Sequence, residues 1–173
     1  QKSVRNGVFF NKKVEEIYSN YLSFQKANFT SFVSLVKIVA EKFPGENIIY
    51  RFHPGEDRKI LVDEFSGYKN VTFSFGGALI PLLKRSKLVV HHLCHAGIEA
   101  QILGKITIAF RAERDAEIED ERVYSRSISL SRSDEVISFI DNLAFSRTND
   151  CQGKNDIESK DFIFRSTDEL ASE

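Results

Sequence analysis

The chain contains no methionine and no tryptophan, two cysteines, three prolines, and no excess charge of either sign. Each shortage excludes something. Cys94 and Cys151 form neither a Cys-x-x-Cys pair nor a zinc-ligand spacing. Neither requires an oxidising compartment, so the cytoplasm is the expected location. A formal net charge of −1 offers no global attraction to nucleic acid or an anionic membrane. No apolar run approaches the ~20 residues that span a bilayer, and no signal-peptide pattern is present. There is no internal repeat, no low-complexity segment and no Asp-x-Asp metal motif. Methionine is missing even at position 1, where a cytoplasmic protein normally has it, so the chain is expected to be a fragment.

What remains is an ordinary apolar fraction rich in phenylalanine, within 173 residues. That length suits one domain with a substantial core. Residues 29–43 read as a helix, because Phe32, Leu35, Val36, Val39 and Ala40 fall on one face. Asn28 or Thr30 can cap it, and Pro44-Gly45 ends it. Strands are expected at 47–52, 71–75, 88–91 and 106–110, with a further one within 123–130. Helices are expected at 58–65, 80–86, 95–103 and from about 133 to 145. A short strand is expected at Gly7-Val8-Phe9-Phe10, and a loop or irregular helix over 14–24. The charged stretch 111–122 reads as an exposed loop. Residues 1–28 thus form a lead-in, 29–146 the domain, and 147–173 a polar tail, either mobile or a helix that docks elsewhere. The strands are apolar on both faces and alternate with helices. Such a pattern predicts an α/β domain with a mainly parallel sheet and helices on both faces.

The most informative stretch is Val89 to Phe110, which reads as strand, turn, helix, strand. Its turn, His91-His92-Leu93-Cys94-His95-Ala96-Gly97, is brought to the carboxyl edge of a parallel sheet, where ligands of open α/β sheets sit. The unpaired N–H groups of the following helix favour phosphate there. Glu99, one turn in, can accept hydrogen bonds from a ribose. A second strand end, Arg51-Phe52-His53-Pro54-Gly55-Glu56, carries another cation and imidazole. Together they suggest a nucleotide or phosphorylated-sugar pocket.

These residues also follow a familiar order. Arg-x-His-Pro-x-Glu (51–56) is followed by Pro-Leu-Leu-x-x-Ser (81–86), His-x-x-x-x-Gly-x-Glu-Ala (92–100) and Leu-Gly-Lys (103–105). The series resembles the C-terminal, donor-binding half of GT-B fold glycosyltransferases, closest to the bacterial surface carbohydrate (capsule and lipopolysaccharide) group. The resemblance covers roughly residues 29–145 and implies a Rossmann-like domain. It implies His53 as phosphate ligand with Arg51 in support, and backbone amides from Cys94, His95, Ala96 and Gly97, with His92 at the turn. It also implies Glu99 at the ribose, and a nucleotide-sugar as donor substrate with no separate cofactor or metal. The acceptor site, and commonly the catalytic base, lies on an N-terminal domain that must be supplied in cis or trans. Peripheral membrane association, at the inner face, would come through that part. Two departures stand out: Cys94 and His95 occupy positions usually held by small hydroxyl or amide residues, and Ile106 replaces the usual proline.

Each of these residues has a plainer reading. His53 is a surface turn residue beside Pro54, or a phosphate contact. Glu99 is a solvated helix residue, or a ribose ligand. Arg111 and Arg114 belong to the charged loop, or face a diphosphate. His91, His92 and His95 lack a matching ligand set, and adjacent strand residues point to opposite faces, which disfavours a metal. Cys94 lacks an orienting acid, so it reads as a small turn residue rather than a nucleophile. Two other functions share this architecture: a sugar-nucleotide epimerase, which needs paired carboxylates in the cleft, and a non-catalytic Rossmann-like interaction module.

Overall fold

The computed structural model describes residues 12–53, 56–149 and 161–165. The expected strand at 7–10, the Pro54-Gly55 dipeptide and Cys151 lie outside them. In chain order the elements are α1 (Lys12–Lys42), β1 (Asn47–Arg51), α2 (Arg58–Glu64), β2 (Val71–Ser74), α3 (Ile80–Arg85) and β3 (Ser86–His91). There follow α4 (His95–Ile102), β4 (Ile106–Phe110), α5 (Glu121–Tyr124), β5 (Ile128–Leu130), α6 (Ser133–Asn149) and β6 (Asp161–Arg165).

The strands form one six-stranded sheet in the order β2-β1-β6-β3-β4-β5. Every pairing is parallel. The fold is therefore the expected Rossmann-like α/β domain. The elements from β1 to β4 lie within a residue or two of their expected bounds.

Helices cover both faces. On one, Phe32, Val36 and Val39 of α1, Leu61 of α2, and Val136 and Ile140 of α6 meet Ile48, Tyr50, Val90, Ile108, Phe162 and Phe164. On the other, Leu83 of α3 and Ala100 of α4 meet Ile49, Val89 and Ile163, and Val123 and Tyr124 of α5 meet Ala109. Crossovers toward β2 use the first face and those toward β5 the second. A single crossover handedness requires that division. Phe32 anchors the larger core, in ring contact with Tyr50, Phe110 and Phe164.

Three expectations fail. The helix expected from 29 begins at Lys12, so neither Asn28 nor Thr30 is a cap. Thr30 Oγ1 donates to the Lys26 carbonyl within the helix. Asn28 is buried, donates to the Phe24 carbonyl, and accepts the Glu113 N–H. At 1.5 Å per residue the helix is about 46 Å long against about 17 Å for a five-residue strand, so it outruns the sheet. Its N-terminal half overhangs the carboxyl edge, where Phe24 reaches His92. Second, the stretch 111–122 is not simply an exposed loop, since Arg111 and Glu119 are buried in it.

Third, the expected polar tail supplies β6, which pairs with β1 on one side and β3 on the other. In the common doubly wound order 3-2-1-4-5-6 that central place belongs to the first strand. Here the last strand fills it. Asp161-Phe162-Ile163-Phe164-Arg165 suits the position, because its three middle residues are buried on alternating faces.

Candidate functional site

All six strands point one way, so their carboxyl ends share one edge. His53 lies just past the end of β1, and the 92–94 turn lies just past β3. The two turns flank the end of β6. Between β1 and β3 the sheet reverses its direction of growth, which is where open α/β sheets bind ligands.

On the β1 side, Arg51 is buried and already engaged. Its guanidinium donates to Ser74 Oγ at 2.8 Å, to the Gly77 carbonyl at 2.7 Å and to the Gly76 carbonyl. Gly76 and Gly77 both have positive φ, at 55° and 72°, so Arg51 fixes a turn that other residues would strain. Among the described residues its Nε has no hydrogen-bond partner. Glu56, the buried end of the Arg-x-His-Pro-x-Glu motif, accepts from Tyr50 OH at 3.0 Å and from the His53 N–H at 2.7 Å. The carboxylate thus ties the chain after β1 back to the core, and His53 itself is half-buried.

On the β3 side, the backbone turns through Leu93, whose φ of +42° is strained for a leucine. That turn lets Cys94 cap α4, its Sγ accepting the Ala96 N–H at 3.4 Å. Burial raises the Cys94 thiol's pKa, the opposite of what a thiolate nucleophile needs. Cys94 is thus a capping residue. His95 opens the helix and is exposed; Ala96 and Gly97 are buried; Glu99 is half-buried.

Gly97 is dictated by packing. A Cβ there would lie 2.4 Å from the His91 ring. His91 is fully buried, with Nε2 2.8 Å from Ser127 Oγ, which also accepts from Gln101 Nε2 at 2.6 Å. Its ring stacks on Tyr124. His92 turns into the other face, with Nδ1 3.2 Å from the Phe110 carbonyl. Burial pushes His91 down to about 3 and His92 down to about 4, so both rings are neutral at pH 7. A neutral interior ring is not a phosphate cation, and His92 serves the core.

Arg111 follows β4 at the same edge. Its Nε and Nη2 hold Glu119 at 2.9 and 2.6 Å, and Nη1 and Nη2 hold Glu121 at 3.2 and 2.5 Å. The guanidinium lies over the Tyr124 ring at 4.3 Å. Two carboxylates saturate it, so of its two readings the loop one describes it.

Comparison with protein-family models, curated proteins and solved structures returns no match.

Of the residues singled out in the sequence, those around the switch point share one edge: Arg51, His53, Cys94, His95, Ala96, Gly97 and Glu99. Two residues escaped sequence reasoning. His91 is one, read as part of the strand-end turn and weighed as a metal candidate, and in fact the floor under Gly97. Arg165, at the end of β6, is the other. A three-residue apolar island, Phe162-Ile163-Phe164, bracketed by Asp161 and Arg165 was the available signal, hidden by its polar surroundings.

Proposed function

We propose that this carboxyl edge binds the phosphate portion of a nucleotide-sugar, and that the chain is the donor-binding domain of a glycosyltransferase of bacterial surface polysaccharide biosynthesis. The observation that carries the reading is the meeting of two strand-end turns, after β1 and after β3, on either side of the switch point. The second opens an eight-residue helix whose amino end favours an anion. His53 contacts phosphate, the amides at 95–97 share its charge, and Glu99 accepts from the ribose hydroxyls. Arg51 acts at one remove, by holding the Gly76-Gly77 turn.

Chemically, such a site stabilises negative charge as it builds on the leaving phosphate while the anomeric C–O bond breaks. A second domain, in cis or trans, supplies the acceptor and the base. Holding two reactants together accounts for about 7–11 kcal/mol of such barriers, so the chain alone transfers nothing. A cytoplasmic position at the inner membrane face suits this role.

Calorimetry of the chain against CMP, CDP, UDP and GDP tests the reading. At least one should bind. Glu99→Ala should weaken it by about 1–3 kcal/mol, the range for charged hydrogen bonds. His53→Ala should weaken nucleotides but leave the bare nucleoside unchanged. No binding across the panel, or unchanged affinity in both variants, would reject it in favour of a non-catalytic module.

A further inference from the structure

One row of side chains crosses the carboxyl end of the sheet. Arg165 is paired with His91 in the β3–β6 register. Tyr50 is paired with Phe164 in the β1–β6 register, which sets Arg51 beside Arg165. Side chains alternate along strands, and Ile49, Ile163 and Val89, two residues earlier on each strand, all pack on the α3/α4 face. Arg51, Arg165 and His91 therefore stand side by side on that face.

The two flanking members are held. Arg51 clamps the Gly76-Gly77 turn ahead of α3. His91 lies beneath Gly97 in the first turn of α4. Arg165, between them, is different. Among the described residues its buried Nε has no hydrogen-bond partner and no carboxylate forms an ion pair with it. Two of the carboxylates around β6 are engaged elsewhere. Glu56 binds Tyr50 and the His53 N–H, and Asp161, at the far end of β6, binds Asn47 and Arg85. Burial and the Arg165 charge both depress the Arg51 guanidinium below its ordinary pKa. The Arg165 charge also reaches Cys94, the cap of α4.

Two adjacent guanidinium groups with no carboxylate of the described residues paired to Arg165 repel, and the amino end of α4 adds positive potential beside them. A bound anion would relieve that repulsion. A guanidinium with free N–H groups recognises a phosphoryl group through its planar fork, with two parallel hydrogen bonds.

We propose that Arg165, backed by Arg51 and set beside the first turn of α4, is the principal cation for the phosphoryl group bound at this edge. Arg165 takes the charge and Arg51 shapes the turn that bounds the site. The identity of the phosphoryl group as part of a nucleoside diphosphate rests on the nucleotide-sugar reading above; the anion site does not.

Calorimetry at fixed low ionic strength, on the full chain, separates the two. Inorganic pyrophosphate, the diphosphates CDP, UDP and GDP, and the corresponding nucleosides are titrated into wild type, Arg165→Gln and Arg165→Lys. Arg165→Gln should weaken pyrophosphate and the bound diphosphate about 10- to 100-fold, the scale of a charged bidentate contact. Arg165→Lys should lose less, and nucleoside affinity should not change. Arg165→Lys also carries the test if the Gln variant melts early. If pyrophosphate binds through Arg165 while no nucleoside diphosphate binds better, the anion site stands and the nucleotide reading falls. If a nucleoside diphosphate binds equally to wild type and both variants, this inference falls and that reading stands. If wild type binds neither pyrophosphate nor any diphosphate, both fall.

Discussion

Arg111 and Arg165 occupy the same edge of the same sheet, at the ends of the two strands that flank β3, yet their surroundings are opposite. Arg111 makes four hydrogen bonds to Glu119 and Glu121 and lies over Tyr124. Arg165 has a second guanidinium beside it and, among the described residues, no ion pair. In sequence the two look alike, each a lone arginine after a Phe-ending apolar run. The difference lies in what the following chain returns to the strand end. After β4, the segment through α5 brings back two carboxylates. At β6 the neighbouring strands bring a histidine and an arginine. A strand-end cation is thus structural where the fold supplies its counter-charge, and available to a ligand where it does not.

The contrast breaks most sharply at Arg111. The Glu119 side chain is 0% exposed and the Arg111 side chain 6%, so removing the guanidinium strands a buried carboxylate. Arg111→Gln should cost about 3–5 kcal/mol in urea unfolding, the range for breaking a buried pair. Replacing both partners, as Arg111→Met with Glu119→Leu, should recover most of that loss. A cost below about 1 kcal/mol would class the pair with surface ion pairs and erase the distinction.

β3 lies between the two arginines, and Gly97 tests how rigidly its end is packed. An alanine Cβ at 97 falls 2.4 Å from a buried imidazole that is stacked on Tyr124 and bonded to Ser127. Gly97→Ala should therefore cost about 1–3 kcal/mol, as overpacking does. Adding His91→Ala makes room, so the double variant should be less destabilised than the sum of the singles. Additive losses in denaturant melts would show that α4 shifts away from the sheet without resistance.

Much of this frame was legible in the sequence, for a physical reason. β1 through β4 and α2 through α4 carry dense apolar patterns bounded by strong stops, such as Pro44-Gly45 and Gly104, so local signal and burial agree. The N-terminal half of α1 was not legible, because residues 12–20 are exposed and show no buried stripe. β6 was not, because five residues bear the whole signal and their value comes from partners far away in sequence, such as Asn47 and Ser86 for Asp161. The candidate site divides the same way. The turns after β1 and β3 announce themselves by His, Pro and Gly. Arg165 becomes meaningful only once β6 is inserted between them, and Arg111 loses its apparent role only once Glu119 folds back.

A third measurement uses pH. His91 and His92 stay neutral in the folded protein down to about 3 and about 4, whereas free imidazoles titrate near 6.5. Below pH 6.5 the unfolded chain therefore binds more protons than the folded one. Stability is full above that pH and falls as the pH drops toward 4. Each histidine contributes a slope of up to about 1.4 kcal/mol per pH unit. His92→Gln should roughly halve the slope between pH 6 and 5 in urea unfolding. An unchanged slope would mean that His92 meets water.

The smallest effect is the most diagnostic for the comparison. Arg165→Gln makes the same chemical change as Arg111→Gln, at the same edge. Without ligand it removes a repulsion with Arg51 and breaks no ion pair among the described residues, so the stability should stay within about 0.5 kcal/mol of wild type or rise slightly. Pyrophosphate, which stabilises whatever state binds it, should raise the melting temperature of wild type and leave this variant unmoved. A ligand-free loss above about 1 kcal/mol would instead mean that Arg165 supports the fold as Arg111 does. The two ends of the sheet edge would then be alike, and the anion would have to be held by the turns alone.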